Sequence, residues 1–182
     1  WLLGQWERAV SDHILPPLTP LGSAQALELW RQVIVQQQMQ SSDYLLLQPA
    51  AAAELASQAR DTLRRWQVDM RSTGIRQSFD LDLDCGTFLH WLTLFEQHLA
   101  VAGQCTEVDC LEQLQALSGQ HPGVRVALLE FVEIAPLVRA ALGALCANVR
   151  EISVQAAPAE RLLHPFTDKR TQMQAVAAWA AD

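Results

Sequence analysis

The chain has no phosphate-binding loop. No G-x-x-x-x-G-K-[ST] occurs anywhere in its 182 residues, so the Gly-rich turn and lysine that cradle nucleotide phosphates are missing. Charge is also scarce. Only 18% of residues are charged, against about a quarter in ordinary soluble domains. The net charge is −7 and the isoelectric point about 5.1. That balance excludes strong non-specific DNA binding by the surface as a whole, because such binding rests on neutralising phosphates. No apolar run approaches the roughly 20 residues of a membrane helix, so no membrane partner is expected. The four cysteines, Cys85, Cys105, Cys110 and Cys146, form no C-x-x-C pair. They read as free thiols of a cytoplasmic protein rather than as disulfides or zinc ligands. The histidines, His13, His90, His98, His121 and His164, show no H-E-x-x-H or other ligand spacing, which predicts no metal site. No G-x-S-x-G and no Cys–His constellation with motif context occurs. No cofactor is expected.

Half of the residues are hydrophobic, enough for a sizeable core in one domain or one and a half. The chain does not open on Met or on a basic leader, and Trp1-Leu2-Leu3-Gly4-Gln5-Trp6 already reads as apolar helix. Residues 174–182 stop inside a helical pattern. Both ends are expected to be cuts from a larger chain.

Along the chain, residues 2–10 predict a helix. Pro16, Pro17 and Pro20 then predict an extended linker. Ser23 is the expected N-cap of a helix over 24–38, whose apolar positions Leu27, Trp30, Val33 and Ile34 fall at helical spacing. Ser41-Ser42-Asp43 ends it. A third helix is predicted over 49–66, with Pro49 in its first turn. Leu55, Ala56, Ala59, Leu63 and Trp66 make its expected buried stripe, and Arg60, Arg64 and Arg65, with Asp61 among them, its exposed face. Small residues at 50–53 allow close helix approach. Residues 68–84 read as irregular. A helix over 87–102 follows, capped by Asp84 or Thr87, with Phe88, Trp91, Leu92, Phe95 and Leu99 inward and Gly103 at its end. A shorter helix is predicted over 107–117, stopped by Ser118-Gly119.

Two β-type runs lie beyond it. The first is GVRVALLEF, residues 123–131, and the second spans 149–155. A helix over 136–147 separates them. Val124, Val126, Leu128 and Leu129 suit a parallel strand buried on both faces, and the connection is expected to be right-handed. The organisation is therefore a helical subdomain, 1–119, and a small α/β region, 120–182.

Several candidate sites can be weighed from spacing alone. Asp80-x-Asp82-x-Asp84 resembles the start of a calcium loop, but Cys85 and Trp91 stand where the loop needs Gly and Glu. Glu130 and Glu133 follow the first strand, where an active motor places the acidic pair that holds magnesium and orients water. Here the pair is Glu-Phe instead of Asp-Glu, so these carboxylates are expected to be solvated or to cap the next helix. Arg60, Arg64, Arg65, Arg71 and Arg76 are the one basic cluster. They are candidate contacts for a DNA backbone, weak and salt-sensitive, or simply the wet face of an amphipathic helix.

A family resemblance rests on four stretches. They are Leu45-Leu46-Leu47-x-Pro49-Ala50-Ala51-Ala52-Ala53-x-Leu55-Ala56-x-x-Ala59 with Leu63 and Trp66; Phe88-x-x-Trp91-x-x-x-Phe95-Glu96; Leu128-Leu129-Glu130-Phe131-x-x-Ile134-Ala135-Pro136; and Phe166-x-Asp168 with Ala175-x-Ala177-Ala178-Trp179-Ala180. In these the chain resembles bacterial DNA repair proteins described as inactivated superfamily I helicases, relatives of RecB- and AddB-type helicase–nucleases. Gln172 and Gln174 depart from the glutamates often seen in the last of these helices. The resemblance implies an α/β, mostly α-helical fold: a helical insertion subdomain and a small parallel-sheet piece of a P-loop-NTPase-like core. It implies a non-catalytic part of a longer protein whose nuclease domain, of the PD-(D/E)xK type, lies elsewhere. The implied partners are the remainder of the chain, DNA and a helicase–nuclease subunit. The alternative is a helical protein–protein interaction module unrelated to DNA.

Overall fold

The computed structural model describes residues 1–40, 47–117, 121–131, 133–153 and 168–179. The described fold is mostly helical, with two small parallel sheets of two strands each, which agrees with the α/β, mostly α-helical class read from the sequence. Residues Trp1–Ile152 form one compact unit and Ser153–Asp182 a second. The expected break at Ser41-Ser42-Asp43, the stop at Ser118-Gly119, and Leu45, Leu46, His164, Phe166 and Ala180 lie outside the described residues.

The first unit opens with α1 (Leu2–Ser11), which buries Gln5, Trp6 and Ala9. The proline segment beyond it is extended, as expected, but it is not a free linker. Within it β1 (Thr19–Pro20) pairs in parallel with β2 (Gln104–Cys105). The Thr19 amide donates to Gly103 O at 2.9 Å and the Leu21 amide to Cys105 O at 2.8 Å. Pro20, which has no N–H to offer, falls between those two donors. Gly103 ends the preceding helix at φ 62, the left-handed conformation that glycine adopts without strain.

Next comes α2 (Ser23–Gln40), which buries Ala26, Trp30, Val33 and Ile34. Ser23 does not cap it from outside. Gly22 precedes the helix, and its amide donates to Gln25 Oε1 at 2.9 Å. The third helix, α3 (Pro49–Arg65), starts at Pro49 as expected but rolls differently. Its buried residues are Ala53, Ala56 and Arg60, whereas Leu55 is 67% and Trp66 42% exposed. The small alanines set that roll, because they let α3 approach α2 closely.

A fourth helix, α4 (Thr73–Asp80), occupies part of the stretch expected to be irregular. Ile75 and Phe79, one turn apart, are its half-buried positions. Then α5 (Leu83–Ala102) begins four residues before the expected start, because Asp82 is its cap: the Asp82 carboxylate accepts from the Cys85 amide at 3.0 Å. Trp91, Leu92, Phe95 and Leu99 are buried on it, as read from the sequence. The first core cluster joins α2, α3 and α5. Trp30 stacks on Phe95 at its centre, with ring centroids 4.1 Å apart and planes 7° from parallel.

The second cluster joins α1, α6 (Glu107–Gln115) and α7 (Pro136–Leu145). Trp6, Val108, Leu114, Leu137 and Leu145 are among its buried members, and the Trp6 indole N–H donates to Gln113 Oε1 at 2.8 Å. After α6 come β3 (His121–Leu129) and, beyond α7, β4 (Cys146–Ile152). They pair in parallel, Val126 with Val149 and Leu129 with Ile152, with a register shift between His121 and Arg125. Strand–helix–strand order and parallel pairing match the expectation. Burial on both faces does not: Val124, Ala127 and Leu129 are exposed, and Val126 and Leu128 half-buried. Two strands with α7 against them leave too little cover to bury both faces. In the second unit, α8 (Lys169–Trp179) is the described element. Asp168 caps it, accepting from the Thr171 amide at 2.8 Å. Among the described residues no helix is long and apolar enough to cross a membrane.

Candidate functional site

The arginines of α3 do not form a common wet face. Arg60 is 2% exposed, because the helix rolls it toward α6 in register with Ala53 and Ala56. Its Nη2 donates to Asp109 Oδ1 at 2.6 Å and its Nη1 to Thr106 Oγ1 at 2.9 Å. Asp109 is held in turn by the start of α6. Its Oδ2 accepts from the Thr106 amide at 2.8 Å and from the Thr106 hydroxyl at 2.8 Å, the reciprocal device by which a residue at the third helical position secures a helix N-terminus. The Arg60 guanidinium also lies 5.4 Å from the centroid of the Phe95 ring, within cation–π range. Its Nε stands 3.6 Å from Glu96 Oε1 and has no hydrogen-bond partner.

Arg64, one turn on, is held between two carboxylates. Its Nη1 donates to Glu112 Oε2 at 2.6 Å and its Nη2 to Glu96. Burial opposes its charge, and the hydrogen bonds to Glu112 and Glu96 outweigh that, so the guanidinium holds its proton more tightly than usual. Arg65 Nη2 lies 3.5 Å from Glu107 Oε1. Asp61 is pushed up from the ordinary carboxylate range by burial, against the pull of Arg60 and Arg65. Thus α3 is clamped to α5 and α6 by a network of ion pairs. The exposed-face reading of Arg60, Arg64 and Arg65 is corrected, since their cationic groups face carboxylates of the same fold.

Arg71 and Arg76 differ. Both are exposed, and neither pairs with a carboxylate among the described residues. They line a cleft of about 660 Å³ whose walls also carry Arg60, Arg64, Glu96 and Glu112. Four of the five arginines read from the sequence therefore meet at one cavity, and Arg65 does not line it. Its apolar lining includes Leu63, Val68, Met70 and Leu92.

The acidic strand end is simpler. Glu130 has φ 55, and its amide donates to Ile152 O at 3.0 Å, closing the end of the strand pair. Glu130 and Glu133 are exposed, and neither forms an ion pair among the described residues. The helix α7 has no side-chain cap, so the expected capping by these carboxylates is not found. Arg139 instead ties α7 to β4 through Glu151. Among the described residues no three His, Cys, Asp or Glu side chains converge to hold a metal. Asp82 caps a helix, and Asp84 lies within it.

Sequence reasoning did not single out Thr106, Asp109 and Glu112. A signal was present: Thr106-x-x-Asp109, followed by Leu111 and Leu114, is the spacing of a helix start. Comparison of the chain with family models, curated proteins and solved structures found no match.

Proposed function

We propose that this chain is a non-catalytic, structural part of a helicase-like DNA-repair protein, in which a helical subdomain is carried on a strand–helix–strand piece of a motor core. The observation that supports this reading is the parallel β3–α7–β4 pairing, with an acidic residue at the strand end and no phosphate loop in the sequence. In a working motor the equivalent carboxylates act through a metal bound to nucleotide phosphates; within these 182 residues no lysine-bearing loop accompanies Glu130 and Glu133. The proposed partners are the remainder of a longer chain, a helicase–nuclease subunit in the cytoplasm, and DNA held weakly. Of the arginine cluster, Arg60, Arg64 and Arg65 are committed to internal ion pairs, which leaves its Arg71 and Arg76 able to meet phosphates.

A second reading, a helical protein–protein interaction module unrelated to DNA, is favoured by the same neutralisation of α3. One measurement tests the lack of nucleotide binding that both readings share, and a second separates them. Thermal melts with and without Mg-ATP should coincide, whereas a true binder gains about 2.7 kcal/mol at a hundredfold excess over its dissociation constant. A reproducible rise of several degrees would overturn the non-catalytic reading. Fluorescence anisotropy with 5′-hydroxyl single strands and duplexes should show weak binding that disappears as salt is raised. No binding even at low salt would put the interaction module ahead.

A further inference from the structure

We infer that the cleft between α3, α4 and α5 is a binding site for a phosphate monoester, with Arg71 and Arg76 as its direct ligands. This goes beyond the functional reading above and does not depend on it, since it requires neither a motor ancestry nor a DNA duplex. The cleft's volume, about 660 Å³, falls in the range of small-molecule sites. Its lining holds four guanidinium groups against the carboxylates of Asp69, Glu96 and Glu112, in a chain whose net charge is −7. Positive charge is thus gathered here against the trend of the molecule.

The carboxylates on the wall are largely spoken for. Glu112 receives Arg64 at 2.6 Å, and Glu96 receives Arg64 and faces Arg60. Asp69 is the remaining negative group, and its Oδ1 accepts the Arg71 amide at 3.0 Å. Among the described residues the Arg71 and Arg76 side chains therefore form no ion pair, and Asp69 is the carboxylate left to share the cleft lining with them. Two guanidinium forks offer more N–H donors than one carboxylate can accept, and they match the several oxygens and near-double charge of a phosphate monoester. The same cleft is lined by the apolar residues Leu63, Val68, Met70 and Leu92. A bare inorganic anion has no use for apolar lining, whereas the organic body of an ester would cover it. Such a phosphate has two sources, a small phosphorylated metabolite or the 5′-phosphorylated end of a nucleic-acid strand.

Isothermal titration calorimetry tests this with inorganic phosphate, phenyl phosphate, and a short single-stranded oligonucleotide with and without a 5′-phosphate. One phenyl phosphate should bind per chain, more tightly than inorganic phosphate. The Arg71→Ala/Arg76→Ala variant touches no ion pair among the described residues and should melt like the parent. It should lose at least about tenfold in affinity. Asp69→Asn keeps an oxygen for the Arg71 amide and removes the opposing charge, so it should bind a few-fold more tightly. A gain from the 5′-phosphate beyond that seen with phenyl phosphate assigns the strand end as the source. Equal affinities assign a small ester. The site is refuted if phenyl phosphate gives no saturable binding, or if the double arginine variant binds as well as the parent.

Discussion

Arg60 of α3 and Asp109 of α6 stand 49 residues apart in sequence, yet Arg60 Nη2 lies 2.6 Å from Asp109 Oδ1. The Arg60 side chain is 3% exposed and that of Asp109 17%, so this pair works out of water. It joins the side chain of one core cluster's helix to the N-terminal turn of the other's.

Removing one partner of such a pair should therefore be costly. Arg60→Ala leaves Asp109 partly buried with only the Thr106 groups to satisfy it, and a loss of about 3–5 kcal/mol is expected. Arg64, whose side chain is 34% exposed, should cost about 1 kcal/mol when truncated. Urea unfolding of both variants measures the difference. Equal midpoints would show that Arg60 does not pin α3 to α6.

The tryptophans give a second contrast. Trp91 is 8% exposed and Trp66 42%. Trp91→Ala should cost about 3–5 kcal/mol, as large core truncations do. Trp66→Ala, on a half-wet site at the end of α3, should cost well under half of that. Chemical denaturation followed by circular dichroism distinguishes them, and similar losses would mean that Trp66 is covered in solution.

That contrast also shows what a one-dimensional pattern contains. Apolar residues at helical spacing located α1, α2, α3, α5 and α6 to within a few residues, because amphipathic periodicity is local information. The roll of α3 was not legible. Leu55 and Trp66 carry the larger apolar groups, but Ala53, Ala56 and Arg60 face inward. Helix-to-helix distance and a distant acidic partner decide that choice, and neither is encoded within the helix. The cation Arg60 is buried because Asp109 and Thr106 lie 49 and 46 residues away. The arginine cleft was half legible for the same reason. Their clustering along the chain marks Arg60, Arg64, Arg65, Arg71 and Arg76 as a group, but which of them line the cleft and which are neutralised depends on carboxylates such as Glu96 and Glu112 arriving from other helices. Burial of β3 was misjudged because its apolar run says what the strand could cover, and the number of neighbouring strands is a tertiary fact.

Cys105 and Cys110 carry a pH signature. Their Sγ atoms are 3.6 Å apart in the second core cluster. Burial pushes the Cys110 thiol strongly up, with Cys105 and Asp109 adding to it, and burial also raises Cys105. In the unfolded chain each thiol ionises near about pH 8.5, while in the fold it stays protonated. The stability present below that value must therefore fall as pH rises above it, because the unfolded state alone releases protons. Melting temperature should decline from about pH 8.5 upward, and the decline should be shallower in Cys110→Ala. Parallel slopes for the two proteins between pH 8 and 10 would sink this.

Glu130 provides the last test, and it bears on the acidic strand end directly. An L-residue with φ near +55 costs about 1–2 kcal/mol relative to the right-handed region. Glycine adopts that conformation freely but loses more entropy on folding, by about 0.5–1 kcal/mol. The Glu130 side chain is exposed, so little packing is lost on removing it. Its amide, which donates to Ile152 O at 3.0 Å, is retained by any residue except proline. Glu130→Gly should then leave stability unchanged or raise it by up to about 1 kcal/mol, and Glu130→Pro should lower it by opening the end of the β3–β4 pair. If the glycine variant is instead destabilised by more than about 1 kcal/mol, the carboxylate makes a contact that matters to the fold. Glu130 would then be more than a turn residue at the end of a strand.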